Sequence, residues 1–205
     1  MYSTKTATIN ASEFNSSYMP VGINDNITLK EVNVNTTPNG RTFLEIIFED
    51  SEGRTASMTE WKNEKNMWIK TDEDLQKRDD QQFGRILQII DCFYETRPDF
   101  EGNNFVEMIN WVKTTLDNRQ KDNKLRLKVI YDKKGYTTVS PYGIYVEPMT
   151  VETSQISLFK RDLLERPIVA DNESAIDPLV DNANESKVFN TPEESGTTGA
   201  DDLPF

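Results

Sequence analysis

At 205 residues, with 36% hydrophobic and 10% aromatic content, the chain has enough apolar mass for one domain with a tail or for two small domains. It holds no histidine and a single cysteine, which removes Ser–His, Cys–His and imidazole–metal chemistry, Cys-rich zinc sites and any intramolecular disulfide. The net charge of −12 is unevenly spread: residues 166–205 carry 2 basic and 9 acidic residues, a net of −7, and residues 1–165 carry the remaining −5, the pattern of an acidic interaction tail on a less acidic body.

Residues 1–19 are polar, rich in Ser, Thr and Asn, and read as a flexible arm. After Pro20 and Gly22, ITLKEVNVN is a β-branched run, and Asn39-Gly40 in TTPNG is a hairpin signal. RTFLEIIFE returns, DSEG turns at Gly53, and RTASMTEW runs as a third strand, so residues 27–61 are expected to form an antiparallel meander. The period then changes. Thr71 suits a helix N-cap, with Asp72, Glu73 and Asp74 in the first turn. Phe83, Ile86, Leu87, Ile90 and Tyr94 share one helical face, and the helix is expected to stop near Arg97-Pro98. Asn103 or Asn104 caps a second helix with Phe105, Met108, Ile109, Val112 and Leu116 on one stripe.

Strand character resumes at NKLRLKVIYD, turns at Lys133-Lys134-Gly135, and returns through GYTTVSPYGIYVEP, kinked or at an edge because of Pro141 and Pro148. Residues 155–165 suggest a short helix or strand, and residues 166–205 a disordered tail. Three strands, a helical insert at about 70–120 and a closing hairpin follow the order of an OB-fold, a five-stranded Greek-key barrel, over residues 20–165. An α+β sandwich with a mixed sheet shares that order.

Candidate chemistry lies in two basic–aromatic stretches. WKNEKNMWIK interleaves Trp61 and Trp68 with Lys62, Lys65 and Lys70. Aromatic faces stack bases and ammonium groups follow phosphates, which is how single-stranded nucleic acid is gripped. Trp61 at a strand end serves core or site equally well, whereas Trp68 lies beyond the strand. On the late hairpin, Lys124, Arg126 and Lys128 share one strand face, Lys133 and Lys134 extend it, and Tyr136, Tyr142 and Tyr145 follow. A lysine-rich face also serves to guard a sheet edge. The acid clusters Asp72-Glu73-Asp74 and Asp79-Asp80 lie on a predicted helix and read as a solvated face rather than a magnesium site. With no phosphate-binding glycine loop either, no enzyme, cofactor or metal is expected. No apolar run reaches the roughly 18 residues of a membrane span. The start MYSTKTATIN lacks a signal segment, so the expected compartment is the cytoplasm, with Cys92 a core thiol.

The chain closes on GADDLPF, an apolar tip on an acidic tail that has no internal use for it. Asp201, Asp202, Leu203, Pro204 and Phe205 suit an apolar pocket with a basic rim on another protein. With that tip, with PVGINDNITLKEVNVN and NGRTFLEIIFEDSEGRTASMTEW as opening meander, and with LRLKVIYDKKGYTTVSPYGIYVEPM as closing hairpin, the chain resembles single-stranded DNA-binding proteins, most of all those of tailed bacteriophages. The resemblance implies a non-enzymatic protein that coats single-stranded DNA in replication, recombination and repair, in a host-cell cytoplasm if phage-encoded. It also implies a tip that recruits a polymerase, helicase, primase or nuclease, and possible homo-oligomers. Arg54 joins the lysines as a backbone contact. The competing expectation is an acidic DNA mimic or adaptor that occupies a nucleic-acid-processing enzyme.

Overall fold

The computed structural model describes residues 17–120 and 122–167. Residues 168–205, which hold all but the first two residues of the acidic segment and include Asp201–Phe205, lie outside the described residues, as do residues 1–16. Residues 17–19, expected in the loose arm, belong to the body. Met19 is fully buried, its N–H bonds the Thr55 carbonyl at 2.9 Å, and Tyr18 bridges Thr55.

The meander forms as expected, from β1 (Gly22–Thr36), β2 (Thr42–Glu49) and β3 (Thr55–Trp61). Leu44, Ile46 and Phe48 alternate inward and are wholly buried, each such burial stabilising by about 1.5–3 kcal/mol. Two helices follow, α1 (Asp72–Asp91) and α2 (Phe105–Asp117), then β4 (Leu125–Tyr131), β5 (Thr137–Val139) and β6 (Val146–Pro148). All ladders are antiparallel, in the order β3-β2-β1-β4-β5, and Thr138 Oγ1 donates to the Ser57 carbonyl at 3.1 Å to bring β5 back to β3. This is a nearly closed antiparallel barrel of OB-fold type. Both β5 and β6 pair with β4, at Val129–Tyr131 and Leu125–Leu127, so they are two pieces of one fifth strand. Residues 140–145 loop out between them, around the expected kink at Pro141.

β1 is longer than its β-branched run suggests. It pairs with β4 through its first half and β2 through its second, with register shifts between Asn24 and Ile27 and between Leu29 and Glu31. Asn26, at φ +61°, lies inside the first shift, a conformation that asparagine tolerates better than most residues.

Thr71 caps α1 as read. Its hydroxyl accepts from the Asp74 N–H, and the Asp74 carboxylate returns to the Thr71 N–H, a reciprocal box. The helix ends at Asp91, earlier than Arg97-Pro98 implied. Its last turn tightens at Cys92 and Phe93, and Tyr94 instead sends its hydroxyl to the Thr115 carbonyl at 2.6 Å, joining the chain to α2. Ile86, Ile89, Ile90, Ile109, Val112 and Leu116 merge with the barrel interior into one core. Cys92 is buried in it, and that burial pushes its thiol up to about 12.

Residues 155–165 form neither helix nor strand. They run as irregular chain with one turn at 160–161 across the outer face of β4, where Tyr131 N–H bonds the Leu163 carbonyl at 2.8 Å and Ile130 and Ile156 are buried. That cover decides which surfaces remain open.

Candidate nucleic-acid interface

The cover overturns much of the expected basic stripe. Lys128 is wholly buried rather than solvated: its ammonium donates to the Tyr142 and Ser157 carbonyls at 2.9 and 3.0 Å and to Asp162 at 3.1 Å. Arg126 on the same face is held by Asp25 at 2.7 Å and Glu147 at 2.6 Å, and those carboxylates raise its pKa. Tyr145 is also withdrawn from the surface. It is fully buried, and its hydroxyl donates to the Arg85 carbonyl at 2.8 Å. Burial, with the Glu60 carboxylate nearby, raises its pKa well above the usual phenol value. Tyr142 is half-buried beneath the Arg161 guanidinium, 4.2 Å from its ring centroid.

Other expected contacts are scattered. Arg54, at the β2–β3 turn, is bonded to Asp50 at 2.6 Å and Glu52 at 3.0 Å. Lys133, Lys134 and Tyr136 are exposed at the β4–β5 turn, and Lys124 is exposed where β4 begins. Four antiparallel steps separate β3 from β5, so the two run parallel, and the β4–β5 turn sits at the Thr55 end of β3. Trp61 is at the other end.

Around Trp61 the structure does gather a site. Register pairs Trp61 with Phe43 across β2 and β3, and their rings stack at 4.4 Å between centroids and 29° between planes. Arg41, two residues before Phe43, places its guanidinium carbon 5.3 Å from the Trp61 ring centroid. It leaves the β1–β2 turn, which Gly40 closes at φ +77°, with the Gly40 N–H on the Thr37 carbonyl at 2.9 Å. Trp61 remains 37% exposed, and Lys62 beside it is exposed.

A buried polar network sets where this strand ends. Glu60, pointing inward, accepts from Arg85 Nε at 3.1 Å and Nη2 at 2.9 Å and from Gln82 at 2.7 Å. Gln82 also donates to the Trp61 carbonyl at 2.8 Å and accepts from Asn63 at 3.2 Å. Helix α1 thus grips the chain at Glu60, Trp61 and Asn63, fixing the backbone from which Trp61 and Lys62 project. Beyond it, Asn66 Oδ1 accepts from the Trp68 and Ile69 N–H groups, and buried Ile69 anchors the loop. Trp68 is left 83% exposed at its tip. Lys65 is bonded to Asp72 at 2.7 Å.

The acid clusters are occupied locally. Asp72 pairs with Lys65, Asp74 caps α1, Asp79 accepts from Asn63 and Asp80 from Gln76. Among the described residues no group of three His, Cys, Asp or Glu side chains is placed to hold a metal ion, and no helix is long and apolar enough to cross a membrane.

Phe43 and Arg41 are members the motif reading missed. The signal was present in RTFLEIIFE: Leu44, Ile46 and Phe48 alternate inward, which puts Phe43 outward beside Glu45, where an aromatic has no core to fill. Compared with protein-family models and with curated proteins, the chain matches none.

Proposed function

We propose that this chain binds single-stranded DNA on the outer face of β2 and β3, coating and protecting it during replication, recombination and repair. The observation that carries the reading is the Phe43–Trp61 stack under Arg41, half open to solvent at one end of the β2–β3 face. Oligonucleotides bind OB-folds on that face and its flanking loops, and base–aromatic stacking tolerates any sequence. Trp61 and Trp68 stack bases in this account; Arg41 and Lys62 follow phosphates nearby, with Lys124, Lys133, Lys134 and Tyr136 as outlying contacts. Arg54 and Lys65 contribute only if their carboxylate partners yield. The Asp201–Phe205 segment is proposed to recruit a replication or recombination enzyme.

The test is fluorescence anisotropy of labelled oligo-dT with the full chain and with a chain ending at Pro167, at two salt concentrations and with duplex DNA as competitor. Binding that is selective for the single strand and weakens steeply with salt is the expected result.

A second reading, an acidic adaptor or DNA mimic, draws on the pairing of Arg54, Lys65, Arg126 and Lys128 with carboxylates. Absence of binding by both chains would make it the better account.

A further inference from the structure

The first turn of α2 carries an apolar side chain that the helix does not ask for. Asn104 caps the turn by accepting from the Glu107 N–H at 3.0 Å, and the Glu107 carboxylate returns to the Asn103 N–H at 2.9 Å. Between them stand Phe105, which packs partly into the core, and Val106, which is 47% exposed. Unpaired N–H groups and the positive end of the helix dipole favour acidic or polar residues there, and valine supplies no cap.

Val106 does have something opposite it. With Phe105 it lines one side of a cleft whose other walls are the Gly40–Thr42 turn and the exit of β3 at Trp61 and Lys62. Most of its exposed lining is apolar, the Trp61 ring belongs to it, and Arg41 and Lys62 are the two cations among the lining residues. Glu64 is the one carboxylate among the lining residues, against the two cations Arg41 and Lys62. A flat apolar body joined to an anionic link is the chemistry of a nucleobase on its sugar-phosphate backbone.

We infer that this cleft takes one unstacked base of the single strand, which displaces the Arg41 guanidinium from the Trp61 ring and stacks there, with Val106 as the opposing wall. The helical insert is then part of the grip, and α2 has a function besides filling the barrel end. This rests on the single-stranded DNA reading above.

The test uses the full chain, labelled oligo-dT and two substitutions. Val106→Glu suits the helix, since an acidic side chain at its N-terminus is favourable, so the fold and Tm should be kept. Val106→Gln fills the cleft without charge and separates blockage from repulsion of phosphate. Both variants are expected to bind about tenfold more weakly, within the range for losing one stacked base. If the natural chain binds and Val106→Gln binds equally well, no base enters the cleft and the inference is overturned. If the natural chain itself fails to bind oligo-dT at low salt, the functional reading fails, and the cleft's occupant with it.

Discussion

The ammonium of Lys128 lies 3.1 Å from Asp162 Oδ2, with both side chains wholly excluded from solvent. Asp162 also accepts from Ser140 Oγ at 3.2 Å and from the Phe159 N–H at 2.7 Å, and Lys128 lies 4.6 Å from the Phe159 ring centroid. One ion pair therefore ties β4, the loop between β5 and β6, and the covering segment together. Breaking it leaves a buried charge without its counterion. Asp162→Ala should cost roughly 3–5 kcal/mol in urea unfolding. A cost below about 1 kcal/mol would mean that residues 155–165 are not seated on the barrel.

Trp68 and Trp61 make different demands on the fold. Trp68→Ala should weaken single-strand binding by roughly 1–3 kcal/mol with an unchanged Tm, because so little of the side chain is buried. Trp61→Ala should weaken binding and also lower stability by about 0.5–1.5 kcal/mol, since it removes the stack on Phe43. A Trp68→Ala chain that unfolds at lower temperature would place that ring in the core instead.

Tyr145 is a test of burial against sequence context. Tyr145→Phe keeps the ring and deletes the bond to the Arg85 carbonyl, a loss of about 1 kcal/mol in stability. Its DNA affinity should match that of the natural chain within error. Weaker DNA binding at unchanged stability would return Tyr145 to the interface.

Glu147 gives the acid limb a specific contributor. Burial alone would raise its pKa, but the Ser154 hydroxyl, the Gln155 N–H and Arg126 outweigh that and hold the carboxyl below its ordinary value. A pKa lowered in the folded state stabilises above the unfolded value, about 4.3 for Glu, and the benefit is lost as pH falls through the folded value. The stability advantage of the natural chain over Glu147→Gln should therefore be constant above about pH 5 and shrink below it. Thermal melts from pH 7 to 3 read this directly; an advantage that persists undiminished at pH 3 would show that ionisation of Glu147 is not its source.

Local chemistry made most elements legible. Asn39-Gly40 and Gly53 announced two hairpins, Thr71 and the pair Asn103-Asn104 announced two helix starts, and each appears where it was expected, with Asn104 as the second cap. What failed to show was anything decided by a distant segment. Alternation correctly put Lys128 on the face opposite Leu127, yet whether that face meets water depends on residues 29 to 34 positions later, which carry no period of their own. Tyr145 sits in a run with Tyr136 and Tyr142 that looks uniform, and only the packing of α1 against β6 separates it from them. The candidate site was half legible for the same reason. Trp61, Lys62 and Trp68 are contiguous enough to read as a motif, whereas Phe43 and Arg41 join them through strand register.

The barrel is closed unequally around its circumference. On one side the fifteen residues of β1 are laddered by backbone bonds to β4 through the first half and to β2 through the second, with two register shifts along the way. On the other, β3 and β5 are linked by the Thr138–Ser57 side-chain bond. A cylinder built this way is stiff about β1 and compliant along the β3–β5 slit. Breathing motions have a built-in direction, widening the wall beside β3 while the β1 seam acts as the spine, so amide exchange should be fastest along the slit and slowest where β1 pairs with β2 without a shift, from Glu31 to Thr36.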